Sequence, residues 1–207
     1  KKSTISLLNQ GMNVELDSLI QKVITRSIEI CHETSGMFDI SVGSLVNYWG
    51  FGPSRLRNNN FHYFDSSSYI VGCDKILLKN SKIIKSDSIY IDLNGIAQGF
   101  TVDYISDYLY NKKRVQDFMI EVGGEIRCVG NNLGNGWKIG IDNPTAKVRD
   151  FVFILKLNDI SLATSGSYRN YYYKDSIKIN HTINPKTFHP TQNQLISATI
   201  LYSDCMS

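Results

Sequence analysis

The chain has 207 residues, of which 42% are hydrophobic and 20% charged, and its 22 basic and 19 acidic residues leave a net charge of +3. This apolar fraction is enough for a folded core in one large domain or two small intertwined ones, which argues against wholesale disorder. A nucleic-acid-binding role is disfavoured, because the longest basic run is only Lys112-Lys113-Arg114. No stretch approaches the roughly 18 apolar residues of a membrane-spanning helix.

The four cysteines, Cys31, Cys73, Cys128 and Cys205, lie far apart and form no C-x-x-C pair. We therefore expect neither a structural zinc site nor a disulfide framework, and the cysteines leave the cellular compartment open. The chain begins without methionine and stops just after a strand-like run. We expect a trimmed form or part of a longer protein, so the lack of a signal peptide or lipid anchor says nothing about location.

The clearest helix is predicted over residues 15–35. Its apolar residues recur at three- and four-residue steps in a single stripe, and Gly36 supplies the stop. Residues 53–68 are polar and rich in Asn and Ser, which predicts a surface loop. A hairpin follows, with strands at 75–79 and 82–85 around a short turn.

The second half of the chain is richer in strands. A strand at Ser88–Leu93 runs into Asn94-Gly95, and a second helix is predicted over residues 96–110. Runs of strands with a few long helices indicate the α+β class with mainly antiparallel sheet. The remaining strands are predicted at Phe118–Val122, Glu125–Val129, Trp137–Ile141, Phe151–Leu157, Ile177–Asn180 and Leu195–Tyr202.

The segment Ile91–Phe100 is the strongest local chemical motif. It is a strand that turns sharply into a helix, with Gly95 and Gly99 at the turn. Free backbone N–H groups and the helix macrodipole favour a phosphate there, and the glycines remove side chains that would hold a pyrophosphate away. The alternative is an ordinary strand–helix turn with Asn94 as N-cap, which the pattern taken alone favours.

Three further segments carry polar groups at strand ends. In Glu121-Val-Gly-Gly-Glu125 the glycines let the backbone approach a ligand and the carboxylates can bond a base or ribose, although a tight turn or bulge is commoner. His181 follows a strand, and its imidazole suits a general base or a phosphate contact, although most lone histidines have no such role. Ala163–Arg169 either lines a cavity, with Arg169 facing an anion, or forms a turn.

Taken together, these segments resemble one family. Their order and spacing closely resemble the ApbE family, the FAD:protein FMN transferases, across residues 3–206. Several motifs in register are far more specific than any one alone. The motifs are Gly36-Met-Phe-Asp39, Trp49-Gly-Phe-Gly52, Asp92-Leu-Asn-Gly-Ile-Ala-Gln-Gly99 with Val102-Asp103, Glu121-Val-Gly-Gly-Glu-Ile126, Ala163-Thr-Ser-Gly-Ser-Tyr-Arg169 and His181-Thr-Ile-Asn-Pro185.

The resemblance implies a T-fold-like α+β architecture, with residues 1–207 forming a single flavin-transferase domain truncated at both ends. It implies a Mg²⁺-dependent reaction that breaks the pyrophosphate of FAD, attaches FMN through a phosphoester to a threonine or serine of a partner, and releases AMP. The usual partners are subunits of membrane redox complexes and other extracytoplasmic electron-transfer proteins. Because the family is commonly exported and tethered, the resemblance implies an extracytoplasmic, membrane-anchored bacterial lipoprotein.

The same resemblance implies the site residues, position by position. Ala97 would offer its backbone carbonyl to Mg²⁺, a hard ion that prefers oxygen. Asn94 and Phe100 would border the flavin nucleotide on either side of that carbonyl. His181 matches the family histidine near the transferred phosphate, where it would help activate the acceptor hydroxyl. The other expected contacts of FAD are Met37, Phe38, Asp39, Glu121, Thr164 and Ile196.

The sequence departs from the family pattern in places. The Asp and Thr that complete the family's metal site would lie beyond Ser207, and Asp204 is upstream of that position, so we expect an incomplete Mg²⁺ site in these residues. The N-terminal strand that supplies an aromatic for the adenine is also missing from the 207 residues. Asn184 stands where Asp is common, and Phe188 where a glycine often follows the threonine.

Two other functions would use the same site. A Mg²⁺-dependent FAD pyrophosphatase would give free FMN and AMP, with water in place of the threonine as nucleophile. A non-catalytic FAD-binding protein would hold FAD stoichiometrically and release no AMP. Asp159–Thr164 also faintly resembles the motif of a flavinylated acceptor, and we interpret it as a core strand.

Overall fold

The computed structural model describes residues 3–53, 69–146, 148 and 150–207. It contains two compact units, each built from two separate stretches of sequence. The first unit joins Lys1–Leu93 to Asn170–Asn193, and the second joins Asn94–Arg169 to Gln194–Ser207. The surface loop expected at residues 53–68 lies, apart from Pro53, outside the described residues.

The described residues of the first unit form three α-helices: α1 (Thr4–Leu8), α2 (Ser18–Glu33) and α3 (Gly43–Tyr48). A short 3₁₀ helix, Cys73–Lys75, follows them. Only α2 was expected from the sequence. α1 and α3 have five and six residues, too few for a 3.6-residue apolar period to show.

Helix α2 confirms the long helix predicted over residues 15–35, with narrower bounds. At its C-terminal end the Gly36 N–H donates to the Cys31 carbonyl at 2.7 Å, and the Ser35 N–H donates to the His32 carbonyl at 3.0 Å. These are the two hydrogen bonds of a Schellman motif. Ser35 has a φ of 52°, so the residue that first turns left-handed precedes Gly36.

The strand predicted at Ser88–Leu93 does not form. Tyr90 makes only an isolated parallel bridge to Val42. The side chain of Asn9, just after α1, hydrogen-bonds the backbone of Ile91. Its amide donates to the Ile91 carbonyl at 2.8 Å, and its oxygen accepts the Ile91 N–H at 2.7 Å. On one edge of this buried segment, the Asp92 N–H donates to the Ile40 carbonyl at 2.8 Å and the Tyr90 carbonyl accepts the Gly43 N–H at 3.0 Å. On the other edge the Asn9 side chain supplies the hydrogen bonds that a second neighbouring strand would have made.

Two hairpins complete the first unit. β1 (Leu77–Lys79) pairs with β2 (Lys82–Ile84), which confirms the hairpin predicted there, and β8 (Tyr171–Lys174) pairs with β9 (Ile177–Asn180). Two apolar clusters form the core, and the second of them anchors β8 and β9 to α3. The clusters are Ile24, Ile40, Ile76, Ile89 and Ile91, and Leu45, Trp49, Tyr172 and Ile179.

Cys31 and Cys73 form a disulfide across a sequence separation of 42 residues. The expectation that the cysteines make no disulfide framework was wrong for this pair. Spacing carried no signal, because the bond depends on the end of α2 meeting the 3₁₀ helix in space. Cys128 and Cys205, in the second unit, are free thiols. A disulfide typically contributes about 2–4 kcal/mol, and more for longer loops.

A four-stranded antiparallel sheet, in the order β10–β7–β4–β3, forms the centre of the second unit. The β5–β6 hairpin packs on one face through Ile126, Cys128 and Leu162 of the sheet. Helix α4 (Ala97–Asp107), extended by a π-helical turn, packs against β3 and β4. The strands are β3 (Phe118–Val122), β4 (Glu125–Val129), β5 (Trp137–Asp142), β6 (Phe151–Leu157), β7 (Ile160–Gly166) and β10 (Ser197–Tyr202).

These strands confirm the α+β class with mainly antiparallel sheet, since every pair of named strands in the described chain is antiparallel. One expectation needs correction. Residues 163–166, expected as part of a polar cavity lining or turn, are the end of β7, because small polar side chains hid the alternation of that strand. No helix of the described residues has the length and apolar character needed to cross a bilayer.

Candidate active site

The helix start expected to hold a phosphate lies in the second unit. Helix α4 begins at Ala97 after a turn formed by residues 94–96, and its N-cap is Ile96, which offers no side-chain hydrogen bond. Asn94 is therefore not the N-cap, and that alternative was wrong. The N-cap side chain therefore does not satisfy the N–H groups of the first turn, and a helix start of this kind attracts an anion.

Gly99 is required by a close approach of the protein's own backbone. A Cβ at this position would overlap the carbonyl oxygen of Cys205 and lie 2.7 Å from its carbonyl carbon. The segment after β10 therefore lies directly against the first turn of α4. The expectation that Gly99 makes room for a pyrophosphate is replaced by this packing role, whereas Gly95 is exposed.

A carboxylate on α4 holds that segment. Both oxygens of Asp103 accept the Cys205 N–H, at 2.9 and 3.0 Å, and one of them also accepts the Met206 N–H at 2.9 Å. Arg127 of β4 donates to the Ser203 carbonyl. Burial raises the pKa of Asp103, and the two backbone N–H groups offset part of that rise. We call Asp103, Arg127 and the segment that they hold, residues 203–206, the α4 clamp.

Asp103→Asn is expected to loosen the α4 clamp. An amide accepts through one oxygen only and turns its NH₂ towards a backbone N–H, so at least one hydrogen bond is lost, at about 1–3 kcal/mol. Amide hydrogen exchange at Cys205 and Met206 should then be roughly 5- to 150-fold faster, measured by NMR. Asp107→Asn, at an exposed position of the same helix, is the control. Equal rates in the two variants would contradict the clamp.

The Gly123-Gly124 pair forms the two-residue turn between β3 and β4, with φ values of 67° and 110°. This confirms the tight-turn alternative for the segment, since both positions need a left-handed backbone that glycine adopts readily. A Cβ on Gly123 would also overlap the side-chain amide of Gln98. The turn therefore lies against the first turn of α4.

Strand register brings two hydroxyls to the same end of the sheet as this turn. Thr164 of β7 pairs with Thr199 of β10, and their hydroxyl oxygens are 2.9 Å apart. Because Ile126 pairs with Leu162, β7 reaches the level of the glycine turn two residues later, at Thr164. One end of the second unit thus combines a helix start, a glycine turn and a pair of threonines.

The two glutamates that flank the glycine turn lie in different environments. Glu121 is exposed and pairs with Ile126 across the hairpin. Glu125 is half-buried, and its Oε2 has no hydrogen-bond partner among the described residues. Burial raises the pKa of Glu125. A buried carboxyl with a raised pKa is typical of functional sites, so Glu125 joins Glu121 as a candidate.

The other predicted contacts in the second unit remain predictions. Phe100 is half-buried and its ring stacks on Tyr104, with 5.9 Å between ring centroids. Asn94 is exposed in the turn before α4. The backbone carbonyl of Ile196 accepts the Ser167 N–H at 2.9 Å, which fixes the entry into β10. The side chains of Asn94 and Phe100 flank the first turn of α4 in sequence.

The described residues do not by themselves fit Mg²⁺. The Ala97 carbonyl already accepts the Thr101 hydroxyl at 2.7 Å. Across the part of the chain that the structure describes, the only group of three or more Cys, His, Asp or Glu side chains close enough to share a metal is Cys31, Asp39 and Cys73. Its two sulfurs are bonded to each other. Mg²⁺ prefers six oxygen ligands, and the family resemblance names only the Ala97 carbonyl among the described residues.

The predicted FAD wall in the first unit is largely structural. Met37 is 52% exposed, whereas Phe38 packs against the isoleucine core. Asp39 is buried: Oδ1 accepts the N–H and hydroxyl of Ser41 at 2.8 and 2.6 Å, and Oδ2 accepts the Cys73 N–H at 3.0 Å. Of the three side chains, only that of Met37 is exposed, while the Asp39 carboxylate holds two loops together.

His181 comes directly after β9 and is half-buried. Its Nδ1 lies 3.1 Å from the Asn170 carbonyl oxygen. Because a carbonyl only accepts, this bond needs a proton on Nδ1, and the neutral ring then presents an unprotonated Nε2. Phe51 packs edge-on against the ring, with 6.2 Å between centroids. The imidazole is thus oriented, and Nε2 can take up a proton.

Other polar groups were assigned differently from the sequence. Arg169, expected to face an anionic ligand, forms an ion pair with Asp142 at 2.5 Å. Sequence reasoning did not give Gln98, Asp103 or Arg127 their structural roles. Gln98 and Asp103 fall in or beside the glycine motif, so a signal existed for them, whereas nothing in the sequence singled out Arg127.

The sequence matches the family model described as ApbE family over residues 1–207. It is 34% identical over 214 residues to the FAD:protein FMN transferase of Vibrio cholerae, covering 100% of this chain and 64% of that protein. It is 35% identical over 220 residues to the FAD:protein FMN transferase of Haemophilus influenzae, covering 100% and 63%. The chain therefore spans less than two thirds of the length of these curated relatives.

Solved structures give the same match. The flavin transferase ApbE from Vibrio cholerae has a TM-score of 0.81 and 32% identity, covering 98% of this chain and 66% of that one. The ApbE protein from Thermotoga maritima has a TM-score of 0.88 and 26% identity, covering 100% and 68%. These structures confirm the mixed α and β architecture, with mostly antiparallel sheets and few helices.

Proposed function

The chain belongs to the ApbE family, and on this ground we propose that the protein carrying it transfers FMN from FAD to a threonine or serine hydroxyl of an acceptor protein, releasing AMP. The observation that carries the proposal is the family match over residues 1–207. Relatives named FAD:protein FMN transferase support it. Because the chain spans less than two thirds of those relatives, the activity is proposed for the whole protein.

In the proposed reaction the acceptor hydroxyl oxygen bonds to the FMN phosphorus of FAD. The bond from that phosphorus to the bridging oxygen breaks, and AMP leaves with the bridging oxygen. His181 takes the hydroxyl proton on Nε2, since its Nδ1 is committed to Asn170. A positioned general base typically contributes about 10²–10⁴-fold to a rate.

The start of α4 binds the diphosphate of FAD in this proposal. Its N-cap residue, Ile96, makes no side-chain hydrogen bond to the first turn, and a helix start favours negative charge. The absence of a Cβ on Gly123 lets the β3–β4 turn lie against Gln98, in the first turn of α4. Thr164 and Glu121, together with Asn94 and Phe100, contact the nucleotide there. For the first unit, the proposal keeps Met37, Phe38 and Asp39 as FAD contacts on the family resemblance alone. Ile196 of the second unit is kept on the same ground.

Mg²⁺ dependence belongs to the proposal on the family resemblance alone, with the Ala97 carbonyl as one ligand. The proposed acceptor is a flavoprotein subunit of a membrane redox complex or another extracytoplasmic electron-transfer protein. The proposed location is extracytoplasmic, with the protein itself a membrane-anchored lipoprotein of a bacterial cell. These assignments come from the family resemblance.

Full-length protein incubated with FAD, Mg²⁺ and an acceptor domain is expected to give AMP and a fluorescent protein band that survives denaturing electrophoresis. An acceptor whose target threonine is replaced by alanine should stay dark. Free FMN and AMP without a labelled acceptor would instead identify a pyrophosphatase. Stoichiometric binding of FAD with no AMP released over hours would identify a storage protein. Either result would contradict the transferase proposal.

A further inference from the structure

A disulfide and a carboxylate meet in the core of the first unit. Cys31 is 1% exposed, Cys73 6% and Asp39 7%. The two sulfurs and one carboxylate oxygen all lie within 4.8 Å of one another. The proposed transfer chemistry gives the two sulfurs no part, so this buried group needs its own explanation.

Hydrogen bonds join the same parts of the chain as the disulfide. Asp39 accepts the Cys73 N–H at 3.0 Å and the Ser41 hydroxyl at 2.6 Å. The Ser41 oxygen in turn accepts the Gly72 N–H at 2.7 Å. The loop with Asp39 and Ser41 is therefore tied to the turn with Gly72 and Cys73, and Cys73 is bonded covalently to α2 through Cys31. We call these hydrogen bonds the Asp39 network.

We propose that Cys31 and Cys73 are an oxidation site, closed by thiol–disulfide exchange with a protein disulfide oxidant of an oxidising compartment, and that the resulting bond keeps the Asp39 network closed. In the exchange the two thiols become one disulfide, and the oxidant's disulfide is reduced to two thiols, so electrons and protons balance. Both sulfurs are buried, so the exchange takes place while the chain folds.

The other two cysteines explain why this pair forms without competition. Cys128 and Cys205 belong to the second unit and are free. Burial raises the pKa of each thiol to about 11. The thiolate is the form that attacks a disulfide, so both remain protonated and unreactive once that unit has folded. The Cys205 thiol also donates to the Ile126 carbonyl at 3.2 Å.

The proposal implies that the working protein lies in an oxidising compartment. Disulfides form and persist in oxidising compartments, whereas cytosolic thiols are kept reduced. This inference uses the chain's own cysteines, so it stands apart from the family resemblance and from flavin transfer. The oxidation site can be wrong while the transferase proposal holds, and the transferase proposal can be wrong while the oxidation site holds.

The first test reads the redox state in the producing cells. Cells are quenched in acid, free thiols are alkylated under denaturing conditions, and peptides are identified by mass spectrometry. We expect a linked Cys31–Cys73 peptide, with Cys128 and Cys205 alkylated as internal controls. Recovery of Cys31 and Cys73 as alkylated thiols would overturn the oxidation site. No variant is needed, so folding defects do not affect the result.

The second test asks whether the bond holds the Asp39 network. In the double variant Cys31→Ser with Cys73→Ser, we expect amide hydrogen exchange at Ser41 and Gly72 to be at least tenfold faster than in the wild-type protein. Cys205→Ser, in the second unit, is the control and should leave both rates unchanged. Unchanged rates in the double variant would overturn the role of the bond. Should that variant fail to fold, the same amides are followed in wild-type protein during reduction.

Discussion

His181→Ala is expected to slow FMN transfer by roughly 10²–10⁴-fold, the usual contribution of a positioned general base. FAD affinity should change far less, about threefold at most, because the proposed role of the imidazole is to take the acceptor's proton rather than to hold the nucleotide. The measurement is AMP release under single turnover, paired with fluorescence titration of FAD. A base that acts only on the acceptor should lower the rate constant at saturating FAD.

His32→Ala is the matched control for this variant. His32 lies in the last turn of α2 and is exposed, so its removal should leave both the rate and FAD affinity within about twofold of wild type. Equal losses of transfer and FAD affinity in His181→Ala would contradict a base and indicate a binding role. The His181→Ala variant also loses the contacts of the imidazole with Asn170 and Phe51, which affects folding. The thermal stability of both variants is therefore measured alongside.

Gly99→Ala is expected to destabilise the second unit, against the usual sign of such a change. Alanine inside a helix is ordinarily better than glycine by about 1 kcal/mol. Here the new methyl group would overlap the Cys205 carbonyl, which is backbone and cannot rotate away. Overpacking of this kind typically costs about 1–3 kcal/mol, which exceeds the propensity gain over most of that range. We therefore expect a net loss of up to about 2 kcal/mol and a lower melting temperature, at roughly 2–4 °C per kcal/mol.

The control for Gly99→Ala is Asp107→Ala, at an exposed position in the same helix. It carries the helix-propensity gain without the steric overlap, so its melting temperature should equal or slightly exceed that of wild type. Calorimetry measures both variants. A rise in melting temperature for Gly99→Ala would mean that the segment after β10 does not lie against α4.

Long elements and local turns were predictable because their signals are local. α2 repeats its apolar residues over several turns, and two adjacent glycines predict the turn at Gly123-Gly124. The family motifs then located the helix start and His181. What stayed hidden depends on residues far apart in sequence. Asn9 replaces a strand partner for Ile91, and no rule on spacing links these two residues.

The candidate site divides in the same way. Residue types and motif order single out His181 and the α4 start as candidates. They do not show which polar groups already bond to other parts of the protein. Asp39 has the sequence context of a ligand contact, yet its oxygens bind Ser41 and Cys73. Arg169 likewise meets Asp142. Whether a polar group is already satisfied depends on tertiary contacts, which a motif does not contain.

The interleaved order of the two units has a consequence during synthesis. Residues up to Leu93 belong to a unit completed only by Asn170–Asn193. At about 5–20 residues per second, the ribosome needs roughly 4–15 s to make the stretch between them. Through that interval Leu45 and Trp49 lack their partners Tyr172 and Ile179. The nascent chain therefore presents an incomplete apolar surface, a natural binding target for chaperones, before its first half can close.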